Sequence, residues 1–215
     1  MKTHFRAASY AKNLGKMKFH HLILSLFILV SASPEAYGHP HVFIYSSTEV
    51  VFDENGLAGF KMKWIFDEMF SNMIVHDFDK NKNGRFELSE IRSIKNGAFS
   101  NLKNFDYFTH IKINKKAFKV KFVKDFSAEI KDNILIYQFF VPCHVRAASS
   151  FKEVRISIYD ISFYSSVFLT RNPVGFINAL PYELHHRITK NKKDAYYYGQ
   201  VYPEEIIIRF RRKTG

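Results

Sequence analysis

Apolar and charged side chains alternate strictly through Phe60-Lys61-Met62-Lys63-Trp64. A segment with that rhythm can bury one face only as a β-strand, because successive side chains of a strand point to opposite sides. The same period of two recurs along the chain. Residues 42–52 are rich in β-branched and aromatic types and end at Asp53-Glu54-Asn55-Gly56, whose Asn-Gly pair suits the positive φ angles of a tight hairpin. Phe118, Val120 and Phe122 against Lys119 and Lys121 repeat the pattern, and a Lys131-Asp132-Asn133 turn leads into an apolar strand at 134–141. Residues 153–159 and 163–169 read as a further strand pair, and 205–210 as a last strand. The expected class is α+β: a mainly antiparallel, sandwich-like β domain.

Only residues 67–104 break this rhythm. Met69, Phe70, Met73 and Ile74, then Leu88, Ile91, Ile94, Phe99 and Leu102, fall three and four apart, which predicts two helical stretches joined by a polar loop and inserted after the second strand. Asn96-Gly97 marks a kink or break in the second stretch. The loop reads Asp79-Lys80-Asn81-Lys82-Asn83-Gly84-Arg85-Phe86-Glu87-Leu88-Ser89-Glu90 and matches the twelve-residue EF-hand template. Calcium takes six to eight hard oxygen ligands. Asp79, Asn81 and Asn83 supply side-chain oxygens, Arg85 its backbone carbonyl, Glu87 a direct or water-borne oxygen and Glu90 a bidentate carboxylate. Gly84 permits the sharp bend, and Phe86 is the apolar anchor. The alternative is a chance polar turn, which six constrained positions between helical flanks make hard to sustain. Two neutral amides among the ligands, with Lys80, Lys82 and Arg85 close by, place the affinity at the weak end, on the order of 10⁻⁴ to 10⁻³ M. No second loop is present to pair with it, which favours a structural role over a switch.

Residues 1–38 have the order of a cleaved secretory signal: a basic stretch ending in Lys16 and Lys18, an apolar run at 22–30, then Ala36 and Gly38 at the small-residue cleavage positions. A start at Met17 would give a signal of more usual length. The apolar run is too short for a spanning helix, which needs about 18 residues or more. Cleavage would make 39–215 the exported, single-domain chain, with His39 first. Formal net charge is +12, spread mostly as lysine on alternating strand positions. That describes a solvated face, and an exported protein has little occasion to meet nucleic acid. The lone cysteine, Cys143, forms no internal disulfide and sits among apolar neighbours as a buried spectator.

His39-Pro40-His41 would offer an α-amine and two imidazoles to Ni²⁺, Cu²⁺ or Zn²⁺. Pro40 has no N–H to surrender, so the amino-terminal square-planar copper/nickel mode is excluded; in an extended chain His39 and His41 fall on one side. Against this stands the plainer reading, two histidines beginning an edge strand. His76, His110, His144, His185 and His186 form no ligand set by spacing, and His110 reads as packed or hydrogen-bonded. No Ser/His/Asp set, phosphate loop or paired-acid signature points to an enzyme.

His39-Pro40-His41-Val42-Phe43-Ile44 after a signal, and Trp64-Ile65-Phe66-Asp67-Glu68-Met69-Phe70-Ser71, resemble the bacterial family called domain of unknown function 1007. Asp77-Phe78-Asp79, Asn101-Leu102, Tyr107-Phe108-Thr109-His110 and Ser157-Ile158-Tyr159-Asp160 extend the likeness, which covers residues 38–169. The resemblance implies a periplasmic protein of Gram-negative bacteria, with an inner-membrane nickel/cobalt transporter as partner. The expectation is therefore a calcium-binding periplasmic accessory to transition-metal transport. The competing expectation is a calcium-stabilised interaction protein of the envelope with no transition-metal role.

Overall fold

The computed structural model describes residues 40–213. Two five-stranded sheets dominate it. The first has the order β5 (Lys124–Lys131), β6 (Ile134–Arg146), β2 (Gly56–Phe66), β1 (Val42–Phe52), β8 (Ser165–Ile177). The second runs β4 (Lys116–Phe118), β3 (Thr109–Ile113), β7 (Lys152–Ile158), β10 (Glu204–Arg212), β9 (Tyr182–Lys190). Between β2 and β3 lie α1 (Glu68–Phe78), α2 (Leu88–Ile94), a π turn (Lys95–Phe99) and a 3₁₀ segment (Ser100–Phe108). Among the described residues no helix is long and apolar enough to cross a membrane.

The alternation does what it predicts on β2, where Phe60, Met62 and Trp64 are fully buried and Lys61 and Lys63 exposed. Inward side chains of both sheets form one buried cluster. Phe52 of β1 meets Phe210 of β10 edge-on at 5.2 Å between centroids, and Trp64 stacks on Phe108 at 5.9 Å. The β1–β2 hairpin closes through the Asp53 carboxylate, which accepts from the Asn55 and Gly56 N–H groups at 2.8 and 3.0 Å. Asn55 keeps a negative φ, and only Gly56 has φ positive, at 148°. A Cβ on Gly56 would lie 2.2 Å from the Val145 carbonyl oxygen, so the approach of β6 requires glycine. At the β5–β6 hairpin Asp132 and Asn133 adopt φ of 51° and 63°, the two-residue turn that matches strand twist.

Two expectations are corrected. Residues 153–159 and 163–169 do not pair: β7 lies between β3 and β10, while β8 runs parallel to β1 in the other sheet. The Asp160 carboxylate organises that crossing, accepting from Ser162 N–H, the Ser162 hydroxyl and Ser165 N–H at 2.9, 2.7 and 3.0 Å. Apart from β1–β8, every strand pairing among the described residues is antiparallel, so the domain is mainly antiparallel, as expected. Finally, the alternating segment 118–122 is no strand; β4 stops at Phe118, and Val120 is buried while Phe122 is 51% exposed. Only three residues there find partners on β3, and the inward side chain then reaches the core from irregular backbone.

The helical insert is tied down at its entrance. Asp67 caps α1 by accepting from Phe70 N–H at 2.9 Å, and its other oxygen accepts from Phe43 N–H of β1 at 2.7 Å. One turn on, the buried Ser71 hydroxyl donates to the Asp67 carbonyl at 2.6 Å and accepts from Leu135 N–H of β6 at 2.9 Å. The Asn96-Gly97 kink appears as the π turn.

Candidate functional site

Residues 79–90 join α1 to α2, and backbone N–H groups organise the segment around its carboxylates. Asp79 and Glu90, at its two ends, are each 6% exposed. The Asp79 oxygens accept from Asn83 N–H at 3.2 Å and Gly84 N–H at 2.9 Å. Glu90 reaches back across the segment, one oxygen accepting from Lys80 N–H at 2.8 Å and the other from Glu87 N–H at 2.9 Å. Gly84 takes φ of 75° and Lys82 57°, which turns the chain around the acids. Asn81 and Asn83 use their oxygens on the N–H two residues on, at 3.0 and 2.9 Å, and direct their amide nitrogens to one Glu87 oxygen at 2.9 and 3.3 Å. Phe86 packs against the core, half-buried.

Electrostatically the site is lopsided. Lys80, Lys82 and Arg85 belong to the segment, yet none forms an ion pair with Asp79, Glu87 or Glu90 among the described residues. The two buried carboxylates are held by neutral donors alone. Each oxygen that accepts one N–H keeps a further lone pair, so the six positions 79, 81, 83, 85, 87 and 90 form an oxygen-rich set. Among the described residues no three His, Cys, Asp or Glu side chains gather closely enough to hold an ion by themselves. The set in 79–90 draws on two asparagines and a backbone carbonyl instead.

The histidines are scattered. His39 lies outside the described residues, as does the whole of 1–38. His41 is exposed at the entry to β1, its ring 5.0 Å from that of Tyr164. His110 stacks on Tyr159 at 3.9 Å, and its Nε2–H donates to the Tyr159 carbonyl at 3.0 Å. Burial draws the His110 pKa below its ordinary 6.5, against the pull of that carbonyl and of Asp106 and Asp194. His76, His144, His185 and His186 are exposed. Cys143 is fully buried, with its thiol pushed up to about 12 by desolvation.

Sequence reasoning missed a second feature. Beneath the helical insert lies a cavity of about 500 Å³, with Trp64 and Tyr137 among its lining residues. Both are at least 98% buried, and neither the Trp64 Nε1 nor the Tyr137 hydroxyl has a hydrogen-bond partner among the described residues. Such an orphaned polar group costs about 1–3 kcal/mol. Strand alternation could assign these residues to the inner face but held no sign of their unmet hydrogen bonds.

Two comparisons with known proteins bear on this chain. An uncharacterised 15.5 kDa protein encoded in the trpE 3′ region of Spirochaeta aurantia is 32% identical over 136 residues, 63% of this chain and 96% of that protein. An uncharacterised protein of Haemophilus influenzae is 27% identical over 164 residues, 74% of this chain and 75% of that one. Family membership reaches further than the blocks at 38–169: residues 24–209 match, so β9 and most of β10 fall within it. The chain belongs to the family described as protein of unknown function (DUF1007).

Proposed function

We propose that this is an exported periplasmic protein that binds Ca²⁺ in the 79–90 loop, an EF-hand inserted in the β-sandwich, and uses the ion to fix the helical cap. Asp79 and Glu90 carry the reading: two buried carboxylates at opposite ends of one loop, with no cationic side chain paired to them among the described residues. Buried charges are paired or coordinate metals, since isolated ones are too costly to keep. The side-chain oxygens of Asp79, Asn81, Asn83, Glu87 and Glu90 and the carbonyl of Arg85 would hold the ion. Calcium would supply the missing countercharge and join the end of α1 to the first turn of α2. The oxygen donors suit a hard cation, and the N–H network already aims the acids inward. A protein with this role is not an enzyme.

The test is thermal melting in millimolar Ca²⁺ against chelator. With Ca²⁺ tenfold above Kd, about 1–10 mM at the expected affinity, the ion adds about 1.4 kcal/mol of stability, so the midpoint rises. Equal midpoints in the two buffers would contradict the proposal.

A second reading adds a role as accessory to an inner-membrane nickel, cobalt or zinc transporter, with His39 and His41 as ligands. Its support is the exposure of His41 at the head of β1. Calorimetric titration of chain beginning at His39 with Ni²⁺, Co²⁺ and Zn²⁺, beside a His39→Ala/His41→Ala double variant, separates it from the calcium-only reading. Equal binding by the two proteins removes the transition-metal role.

A further inference from the structure

Residues 115–124, Lys115-Lys116-Ala117-Phe118-Lys119-Val120-Lys121-Phe122-Val123-Lys124, carry five lysines and no acid. β4 ends at Phe118, and the chain crosses to Lys124 of β5 as irregular backbone. Two valines anchor that crossing: Val120 is 2% exposed, and Val123 packs half-buried against the core. The side chains between them turn outward. Lys119, Lys121 and Lys124 are exposed, and Phe122 keeps 51% of its surface in solvent.

These four side chains are brought together in space. β5 pairs with β6 only from Lys124 opposite Phe140 onward. The part of β6 beyond that point supplies Pro142 and His144 to a surface groove that Lys119, Lys121, Phe122 and Lys124 also line. Among the described residues no acid lines the groove, and none of the three lysines forms an ion pair. Lys124 Nζ lies 5.9 Å from the centre of the Phe122 ring, within reach of a cation–π contact.

The combination selects its occupant. Three ammonium groups without a carboxylate call for anions, and an exposed phenylalanine among them calls for an apolar layer. The surface of an anionic bilayer offers both, phosphates at headgroup level and hydrocarbon beneath. Nucleic acid offers phosphates but no such layer, and a ring that Lys124 covers on one face is a poor platform for stacked bases.

We propose that the 119–124 crossing is a membrane-docking surface, on which Lys119, Lys121 and Lys124 bind the phosphates of anionic phospholipids while Phe122 enters the interfacial layer. The surface is separate from the 79–90 loop and needs no metal.

The test is co-sedimentation with vesicles of phosphatidylcholine alone and of phosphatidylcholine mixed equally with phosphatidylglycerol. It uses the chain beginning at His39, a compact unit, so that the apolar run at 22–30 takes no part. Chelator is present throughout, which keeps the result independent of the calcium reading. The chain should bind the mixed vesicles and not pure phosphatidylcholine. Raising salt from about 0.1 M to about 1 M shortens the Debye length from about 10 to about 3 Å and should release it. Each of Lys119→Gln, Lys121→Gln and Lys124→Gln should cost about fivefold in affinity, and the three together about a hundredfold. All three positions are exposed, so the variants should keep the wild-type melting midpoint. Phe122→Ala should cost about fivefold on vesicles, the worth of burying the exposed half of the ring, and should leave binding of a short duplex DNA unchanged. Lys190→Gln/Lys192→Gln/Lys193→Gln removes as much charge beside β9, at the opposite edge of the second sheet from β4, and should bind vesicles like wild type. Equal binding to both vesicles, equal losses in the two triple variants, or no effect of Phe122→Ala on vesicles would overturn the proposal.

Discussion

Glu90 joins the second position of its loop to the ninth, accepting from Lys80 with one oxygen and from Glu87 with the other. That backbone role and the proposed role toward calcium make different demands on the charge, and Glu90→Gln separates them. In Ca²⁺ the variant should melt well below wild type; in chelator the gap should shrink, because the substitution also removes a buried, uncompensated charge. The same gap in both buffers would leave Glu90 as a backbone tether only. His110 yields a prediction of its own. Burial lowers its folded-state pKa below the ordinary 6.5, despite the Tyr159 carbonyl, Asp106 and Asp194 and with slight help from Lys112. The folded state then binds fewer protons than the unfolded one between those two values. Stability should be full above about pH 6.5 and fall as the pH drops through the lower value, and His110→Gln should flatten that part of a denaturation-versus-pH profile. An unchanged profile would remove His110 as the cause. Spacing alone set Asp79 and Glu90 at the two ends of one loop, and the structure ties both there to the loop backbone. The orphaned donors of Trp64 and Tyr137 were not legible, because whether a buried donor finds a partner depends on residues far off in the chain.

At the scale of the element, the insert was legible and part of the strand pairing was not. Spacing of three and four against a background of two marks a helix wherever it stands, and Asp67 before Glu68 marks its start. The bond that fixes α1 on the sheet is less visible: Ser71 links the Asp67 carbonyl to Leu135 of β6, 64 residues later. Ser71→Ala should cost about 1–3 kcal/mol, since it strips a buried N–H of its acceptor; urea denaturation measures it, and a change near zero would show that α1 docks by apolar packing alone. β7 and β8 were misread because strands adjacent in sequence are usually neighbours in space. Here the Asp160 turn carries the chain from one sheet to the other, and no local alternation records which sheet a strand joins. Residues 118–122 show the opposite failure, a sound alternation without a partner strand long enough to use it. β3, β5 and β9 passed unnoticed: β3 is only five residues long, and neither β5 (Lys124–Lys131) nor β9 (Tyr182–Lys190) carries a run of inward apolar side chains.

For the whole molecule, a two-sheet sandwich under a helical cap follows from counting the two periodicities, and the aromatic content fills the space where they meet. The cavity does not follow, since a void is a property of packing and leaves no pattern in one segment. Export makes a separate prediction: N-terminal sequencing of the protein recovered from periplasm should read His-Pro-His, and a mature chain that retains residues 22–30 would contradict it. The account rests above all on the 79–90 loop, and calorimetric titration with Ca²⁺ tests that loop most directly. Wild type should bind one equivalent with Kd on the order of 10⁻⁴ to 10⁻³ M, Glu90→Gln should lose most of that affinity, and Mg²⁺ should bind more weakly because its small octahedral shell suits this spread-out ligand set poorly. No heat of Ca²⁺ binding in wild type up to several millimolar, or equal binding by wild type and Glu90→Gln, would contradict the account.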